Sequence, residues 1–361
     1  MKTDKKRLLV DLSKLQGAYC GLWEVSRQLG QVLIDNVDHD RWELTFLVPR
    51  NHSFTDSRVR YLCIGWWHRF FLRCWHYDVL HGLAQNTPYL RYKNSRSKYV
   101  ITLHDLNFLH EKSNVNYQNR CRRKYQRNLQ GVNQVVFISR FTEQDALAHL
   151  NFEGIKTSVI YNGVAERNVN VSLCPPLGFE AQLQGRDFLL TISTIMRKKN
   201  IHLLVDMMKH LPHFCLVIAG RVIHCDYFAE LVEAIEKHKL SNRVFMQGPV
   251  DDAEKFWLYN SCKAFVFPSQ AEGFGIPPIE AMRAGKPVFA SRSTSIPEVC
   301  GDMAFYWDTL SGAEMAEVVK RSLSDKNAPQ NNPTLLMNYA KKYSWDTCAQ
   351  EYIKIYEELT Q

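Results

Sequence analysis

The sequence predicts an α/β fold in which two doubly wound domains follow one another. Short apolar segments alternate with amphipathic ones, which is the pattern of βαβ units in parallel sheets. The alternation stops at 169–185, which holds two prolines and two glycines, and then starts again. A length of 361 residues fits two domains. We predict an N-terminal domain over 1–168, a linker over 169–185, a second domain over 186–343, and a helix over 344–361 that packs near the domain junction.

The apolar runs define the predicted strands of both domains. In the first domain they are 7–12, 43–48, 79–81, 99–103, 134–138 and 158–160, and in the second they are 187–192, 214–219, 243–246, 264–267 and 287–290. In such sheets, ligands bind at the carboxyl ends of the strands, near the point where the strand order reverses. Two such domains would face each other across a cleft that accommodates two substrates.

Composition excludes several other classes of protein. Hydrophobic residues make up 45% of the chain and charged residues 23%, so it is neither disordered nor fibrous. No apolar run is long enough to cross a membrane, and the short run after Arg7 is interrupted by Asp11, unlike a signal peptide. We therefore expect a cytoplasmic protein. The ten cysteines form no C-x-x-C pair and no zinc-like cluster, which favours free thiols.

The most informative segment is 267–282, which follows a predicted strand. Gly273 and Gly275 allow close backbone approach to a ligand, and the prolines that follow suit the first turn of a helix. A helix N-terminus in this position attracts an anion such as a diphosphate. Glu272 and Glu280 lie eight positions apart, one in the loop and one in the helix, so they should face different parts of one ligand.

This segment resembles the E-x7-E element of glycosyltransferase family 4, a retaining family with the GT-B fold, and in particular its bacterial polysaccharide and lipopolysaccharide mannosyltransferase-like members. Further motifs match that family in the same order along most of the chain. They are Ser193–Asn200 with its Arg-Lys-Lys-Asn end, Gly285-Lys286-Pro287-Val288, Ile296-Pro297-Glu298-Val299 and Ser344-Trp345.

The resemblance implies roles for cations around the donor diphosphate. Lys199 should bind the diphosphate, with Lys198 beside it. Many relatives carry Gly-Arg where this chain has Ser193-Thr194, so the second cation must come from Lys198 or Arg197. Fixed cations suit this task because they stabilise the negative charge of the leaving group.

The resemblance also implies that the domain over 1–168 binds the acceptor and that the domain over 186–343 binds the nucleotide-sugar. It further implies which groups touch the sugar and the nucleoside. Glu272 should lie near the transferred sugar and Glu280 should hold the ribose. The loop and helix start, Gly273, Phe274, Gly275 and Ile276, should contact the sugar and the β-phosphate. His104, at the end of a first-domain strand, should face the donor sugar. Gly17–Gly21 matches, more loosely, a glycine-rich loop of the family.

No cofactor or metal is expected, because cations and the helix end would stabilise the diphosphate. Asp38-His39-Asp40 matches the metal-binding D-x-D pattern of another transferase fold, but it lies between a helix and a strand amid charged residues. We therefore do not expect a metal there.

Residues 65–75 are dense in aromatic and basic groups, and two interpretations remain open. Such residues favour membrane interfaces, and with Arg120, Arg122, Arg123, Lys124 and Arg127 they would dock the chain on anionic lipid at the inner face of a membrane. Alternatively, the segment is a core helix whose arginines extend to solvent.

The sequence thus favours a retaining glycosyltransferase of cell-surface polysaccharide synthesis. It would move mannose from GDP-mannose, a nucleotide-sugar donor, to a saccharide or lipid-linked acceptor. A UDP-sugar donor is the first alternative. A non-catalytic nucleotide-sugar or nucleic-acid binding protein is the alternative of another class; the net charge of +8 fits it, but no nucleic-acid module is present and no nucleic-acid partner is expected.

Overall fold

The computed structural model describes residues 5–16, 21–111, 114–165, 174–176 and 178–361. The chain forms two compact units. The first comprises Met1–Gly163 together with Tyr343–Gln361, and the second comprises Val164–Lys342.

The first unit contains a parallel sheet whose strands are β1 Lys6–Asp11, β2 Trp42–Val48, β3 Arg60–Cys63, β4 Val79–Gly82, β5 Lys98–Leu103, β6 Gln134–Phe137 and β7 Lys156–Val159. Their order across the sheet is β3-β2-β1-β4-β5-β6-β7. The order reverses between β1 and β4, so the first unit has its switch point there. Strands such as β4 and β6 are buried along their whole length, as expected when helices cover both faces.

The second unit contains a parallel sheet whose strands are β8 Phe188–Ile192, β9 Cys215–Ala219, β10 Val244–Gly248, β11 Ala264–Phe267, β12 Val288–Ser291 and β13 Phe305–Trp307. Their order is β10-β9-β8-β11-β12-β13. The switch point of this unit lies between β8 and β11, which pair directly through Leu189 and Leu190.

Helices connect the strands. They are α1 Gly21–Asn36, α2 His68–Phe71, α3 Val115–Leu129, α4 Arg140–His149, α5 Phe179–Leu183, α6 Ile201–Met208, α7 Cys225–Lys237, α8 Asp252–Ser261, α9 Ile276–Arg283, α10 Ile296–Cys300, α11 Gly312–Ser324, α12 Pro333–Ala340 and α13 Trp345–Leu359. No described helix is both long and apolar enough to cross a membrane.

Two strands, β3 and β13, were missed by the sequence prediction. The edge strand β3 exposes Arg60 and Cys63 at its two ends, so it lacks the apolar run of an interior strand. The strand β13 is only three residues long and lies at the other sheet's edge. Neither addition changes the predicted fold class.

Part of the predicted linker is folded into the second unit. Helix α5 falls within 169–185, and its Phe179 is fully buried against Phe188, Phe245 and Trp257. These edge-to-face aromatic contacts attach the short helix to the second unit. The second domain was predicted to begin at residue 186, but in the structure α5 already belongs to the second unit.

The C-terminal helix α13 belongs to the first unit. It packs on α1, and two of its tyrosines reach the sheet. His81 Nδ1 lies 2.6 Å from the hydroxyl of Tyr356, while His81 Nε2 and the Tyr352 hydroxyl each lie 2.8 Å from Thr102 Oγ1. Burial lowers the pKa of His81 to about 3, so the ring is neutral and its two nitrogens act as one donor and one acceptor.

The structure of residues 65–75 differs from the core helix that was one of the two interpretations of the sequence. These residues form α2 and a following 3₁₀ turn, Leu72–Cys74. Leu72 and His68 are buried, but Trp66 is 71% exposed and Phe71 is 55% exposed. The aromatic side chains therefore form surface and not core.

We predict that Tyr356→Phe lowers the free energy of unfolding by about 1–3 kcal/mol, because it leaves a buried ring nitrogen of His81 without a partner. Urea denaturation followed by circular dichroism measures this loss. The matched control, Tyr92→Phe at a partly exposed position, should change the same quantity by less than about 0.5 kcal/mol. Equal effects of the two substitutions would contradict the role of the His81 network.

Candidate active site

The candidate site of the second unit lies at its switch point. Lys199 follows β8 and Glu272 follows β11, and these two strands are neighbours in the sheet. Strands that run parallel end at the same edge, so the two loops emerge side by side. The sheet topology therefore brings Lys199 and Glu272 together in space, although they are far apart in the sequence.

Lys199 and Glu272 form an ion pair. The Lys199 ammonium donates a hydrogen bond to Oε1 of Glu272, and both side chains are only 13% exposed. Ser269 Oγ donates to the same oxygen at 2.6 Å. The ammonium of Lys199 also lies 5.5 Å from the centre of the Phe267 ring, within the range of a cation–π contact.

The charge state of Glu272 follows from two opposing effects. Burial alone raises the pKa of this carboxyl group, whereas the positive charges of Lys199 and Lys198 and the hydrogen bonds from Lys199 and Ser269 lower it. The lowering effects win, so Glu272 is a carboxylate at neutral pH. A buried charge of this kind is stable only while its cations are present.

The backbone around Glu272 is fixed by the loop that follows β12. Its N–H donates to Thr294 Oγ1 at 2.9 Å, and its carbonyl accepts from Ser295 Oγ at 2.9 Å. Ser295 Oγ also donates to the Phe274 carbonyl at 3.2 Å, and Ser291 Oγ to the Ser269 carbonyl at 2.5 Å. Sequence analysis missed these hydroxyls, although their position after a strand end was a usable signal.

The two site loops are joined directly to each other. The Lys198 carbonyl accepts from the Gln270 N–H at 2.7 Å, and Asn200 Nδ2 donates to the Pro268 carbonyl at 3.1 Å. Asn200 has a φ of 52°, in the left-handed region that asparagine tolerates better than most residues. These contacts hold Lys198 and Lys199 against the glutamate loop.

The start of α9 offers fewer donors than the sequence prediction assumed. Gly275 precedes it with a φ of 99°, a conformation that favours glycine. Of the first three helical residues, Pro277 and Pro278 have no N–H, so Ile276 supplies the single first-turn donor. An anion at this position would depend on Ile276, the preceding loop and the lysines.

Glu280 is buried within the same unit and has two partners that sequence analysis did not find. Its Oε1 accepts from Lys255 Nζ at 3.1 Å, and its Oε2 accepts from the Tyr259 hydroxyl at 2.8 Å. Burial, with the nearby Glu280 charge, raises the pKa of Tyr259 well above its usual value, so the phenol remains a donor. Lys255 and Tyr259 lie four positions apart on α8 and therefore on one face.

Arg197 does not join this cluster. Its guanidinium is 52% exposed and forms ion pairs with Asp226 at 2.9 Å and Glu230 at 2.6 Å, both on α7. Arg197, Lys198 and Lys199 form a 3₁₀ turn, in which successive side chains point about 120° apart. Of the two candidates for the second cation, Lys198 is the one whose charge lowers the pKa of Glu272.

In the first unit, His104 follows β5 near that unit's switch point. Its Nε2 lies 2.7 Å from the Leu83 carbonyl, which can only accept, so Nε2 carries the proton. Burial lowers the pKa of His104, against the raising effect of that hydrogen bond. The neutral ring then presents Nδ1 as an acceptor. The glycine-rich segment 17–20 lies outside the described residues.

The D-x-D segment has no metal-site geometry. Asp38 Oδ1 accepts from the N–H of Asp40 at 2.9 Å in the turn before β2, at the amino end of that strand. Across the described ranges of the chain, no group of three or more histidine, cysteine or acidic side chains is arranged to hold a metal ion.

Two doubly wound parallel sheets in one chain are the architecture of the GT-B fold. The second sheet carries the glutamate–lysine pair and the glycine-rich loop at its switch point. The model of Glycosyltransferase Family 4 matches residues 35–168, and that of Glycosyl transferases group 1 matches residues 179–342. The chain belongs to the glycosyltransferases, with a family 4 domain followed by a group 1 domain, and it is an enzyme of that class.

Named proteins resemble the chain over most of its length. It is 27% identical to O-antigen chain mannosyltransferase B of Escherichia coli over 75% of this chain and 72% of that protein. It is 24% identical to O-antigen chain mannosyltransferase RfbU of Salmonella typhimurium over 95% and 97%. Among solved structures, HepE of Anabaena in complex with UDP-glucose has a TM-score of 0.73 at 19% identity over 98% and 99% of the two chains. That last likeness concerns the fold alone.

We predict that Lys199→Met lowers the free energy of unfolding at neutral pH by about 3–5 kcal/mol, because it leaves the buried Glu272 carboxylate without its main cation. The pKa of Glu272 should rise in this variant. The native enzyme gains stability from the lowered pKa above the ordinary value of 4.5 and loses it as pH falls through the folded pKa. The difference between variant and native enzyme should therefore shrink as pH falls toward that value.

Urea unfolding over a series of pH values measures this difference. As a matched control, Lys199→Met combined with Glu272→Gln removes both charges and should recover most of the lost stability. A stability loss that is independent of pH, or that persists in the double variant, would show that the pair is not electrostatically coupled.

Proposed function

We propose that the enzyme transfers mannose from GDP-mannose, with retention of anomeric configuration, to a saccharide or lipid-linked acceptor in cell-surface polysaccharide synthesis. The single observation that carries the proposal is the Lys199–Glu272 pair beside the glycine-rich loop at the switch point. The choice of mannose is supported by the two relatives, both named O-antigen chain mannosyltransferases. We propose that the reaction takes place in the cytoplasm, at the inner face of a membrane.

Lys199 and Lys198 would hold the donor diphosphate and stabilise it as it leaves. In the structure Lys199 is neutralised by Glu272, so an arriving diphosphate would compete for the ammonium. The N–H of Ile276 would add a hydrogen bond to a phosphate oxygen. Such fixed positive groups favour the transition state because charge grows on the leaving phosphate as the glycosidic bond breaks.

Glu272 would contact the sugar once Lys199 has turned to the phosphates. Its backbone is fixed by Thr294 and Ser295, so the carboxylate has a defined position from which to accept hydrogen bonds from sugar hydroxyls. A carboxylate there also stabilises positive charge at the reacting carbon. In this proposal, a phosphate oxygen of the leaving group accepts the proton of the incoming hydroxyl.

His104 and Glu280 would contact other parts of the donor. Nδ1 of His104, the acceptor left by the Leu83 hydrogen bond, suits a sugar hydroxyl. Glu280 suits the ribose, since each carboxylate oxygen has a further lone pair beyond its bond to Lys255 or Tyr259.

A UDP-sugar is the second candidate donor. It is favoured by the structure of HepE, which is described as a complex with UDP-glucose. The roles of Lys199, Glu272 and Glu280 would be the same with either base, because they concern the diphosphate, the sugar and the ribose.

We predict that Glu272→Gln and Lys199→Ala each lower kcat/KM for mannose transfer by at least about 10²-fold, the usual cost of removing a group that stabilises transition-state charge. Radiolabelled GDP-mannose and an acceptor extract provide the assay. The matched control is Arg197→Ala, which removes a charge two positions away but from a side chain paired with α7, and it should keep most of the activity. Unchanged turnover in both site variants would refute the assigned site.

A second expectation concerns metal ions. Transfer should proceed at an unchanged rate in the presence of EDTA, because lysines and backbone donors are proposed to neutralise the diphosphate. The measurement compares initial rates before and after chelation, with magnesium added back as the control. Strict dependence on added metal would contradict this mechanism.

A further inference from the structure

One stretch of the chain in the first unit is strongly basic. Residues 57–142 contain fifteen lysines and arginines but only three acidic residues, Asp78, Asp105 and Glu111. Because the whole chain has a net charge of +8, the remainder is net negative. The basic character is therefore a property of this region and not of the protein as a whole.

The segments of this region that connect the strands, among them α2, the residues before β5 and α3, lie on one side of the sheet. Leu72 after α2, Leu90 before β5 and Leu129 at the end of α3 belong to one buried cluster on that side. Lys93 Nζ also donates to the Asn128 carbonyl at 2.9 Å, which joins the segment before β5 to the end of α3. The outward side chains of α2, of residues 91–92 and of α3 therefore belong to one layer.

Aromatic side chains are exposed at one end of this layer. Trp66, Trp67, Phe70, Phe71 and Tyr92 are between 36% and 71% exposed. Phe70 and Tyr92 are stacked with their ring centres 5.9 Å apart, and Trp66 lies edge-on to Trp67 at 6.4 Å. We call these five side chains the aromatic cluster. Exposed apolar groups that lie together are typical of interaction surfaces.

Basic groups surround and extend the aromatic cluster. Arg73 and Arg91 lie over the Tyr92 ring at 5.6 and 5.4 Å, and Arg69 is exposed on α2 itself. The outward side of α3 continues the charge with exposed side chains. We call these the α3 basic row; they are Arg120, Arg122, Arg123, Lys124 and Arg127.

We propose that this surface docks the enzyme on an anionic lipid bilayer. The aromatic cluster would enter the boundary between headgroups and acyl chains, where amphipathic rings are favoured. The arginines beside it and the α3 basic row would lie against the lipid headgroups, whose negative charge is complementary to the positive charge of the layer. The buried Leu72 fixes the turn after α2 to the core, so the aromatic cluster is presented on a folded element. The inference rests on the proposed location of the reaction at the inner face of a membrane, and it is independent of the donor and the acceptor.

Vesicle flotation tests the proposal with the full-length enzyme and no substrate. The native enzyme should float with vesicles that contain phosphatidylglycerol and phosphatidylcholine, and much less with phosphatidylcholine alone. Trp66→Ser with Phe71→Ser should lower the partition coefficient at least about tenfold, since binding scales with the apolar area buried. Arg122→Gln with Arg123→Gln should lower it about fivefold per charge removed.

Matched variants in the second unit provide the controls. Ile223→Ser with Leu335→Ser removes two exposed apolar side chains, and Arg321→Gln with Lys326→Gln removes two exposed charges. Both should bind vesicles like the native enzyme, and all four double variants should keep native circular dichroism because the changed side chains are exposed. Absence of flotation by the native enzyme, equal binding to both kinds of vesicle, or equal losses in test and control variants would overturn the proposal. A failure of mannose transfer in the activity assay would leave this result unaffected.

Discussion

The site of the second unit depends on cations and hydrogen-bond donors that balance the negative charge of one buried carboxylate, Glu272. Glu272 has little exposure to water, and its charge is kept by Lys199, Lys198 and Ser269. That requirement explains why the loops after β8, β11 and β12 are hydrogen-bonded together, since a small separation would leave the carboxylate without partners. In the proposed function, a diphosphate would replace the carboxylate as the partner of Lys199.

The other candidate groups follow the same physical rule, that a buried polar group must have a partner. Glu280 is held by Lys255 and Tyr259, and His104 donates to the Leu83 carbonyl. In each case one side of the group is fixed by the protein while further acceptor capacity remains. This division between a fixed side and an accepting side is what positions a group for a ligand.

The alternation of apolar segments was enough to predict the fold class. The glycine-rich segment pointed to the loop after β11, which the structure places beside the loop that carries Lys199. Local patterns could not reveal partners that come from distant parts of the chain, such as Thr294 for Glu272 or Tyr259 for Glu280. Nor could they decide between Arg197 and Lys198 as the second cation, because the direction of each side chain depends on a 3₁₀ turn. The missing N–H groups of Pro277 and Pro278 were readable from sequence, but they matter only once the helix is known to begin at Ile276.

Binding of a nucleoside diphosphate tests the central claim most directly, and it needs neither acceptor nor turnover. The melting temperature would be measured with GDP, UDP, ADP and their sugar conjugates, for the native enzyme and for Lys199→Ala. A ligand that binds only the folded state must raise the melting temperature. At a hundred times its Kd it adds about 2.7 kcal/mol to the free energy of unfolding. The account predicts a rise with GDP and GDP-mannose that is lost in the variant. No rise with any nucleotide, or an equal rise in the variant, would contradict it.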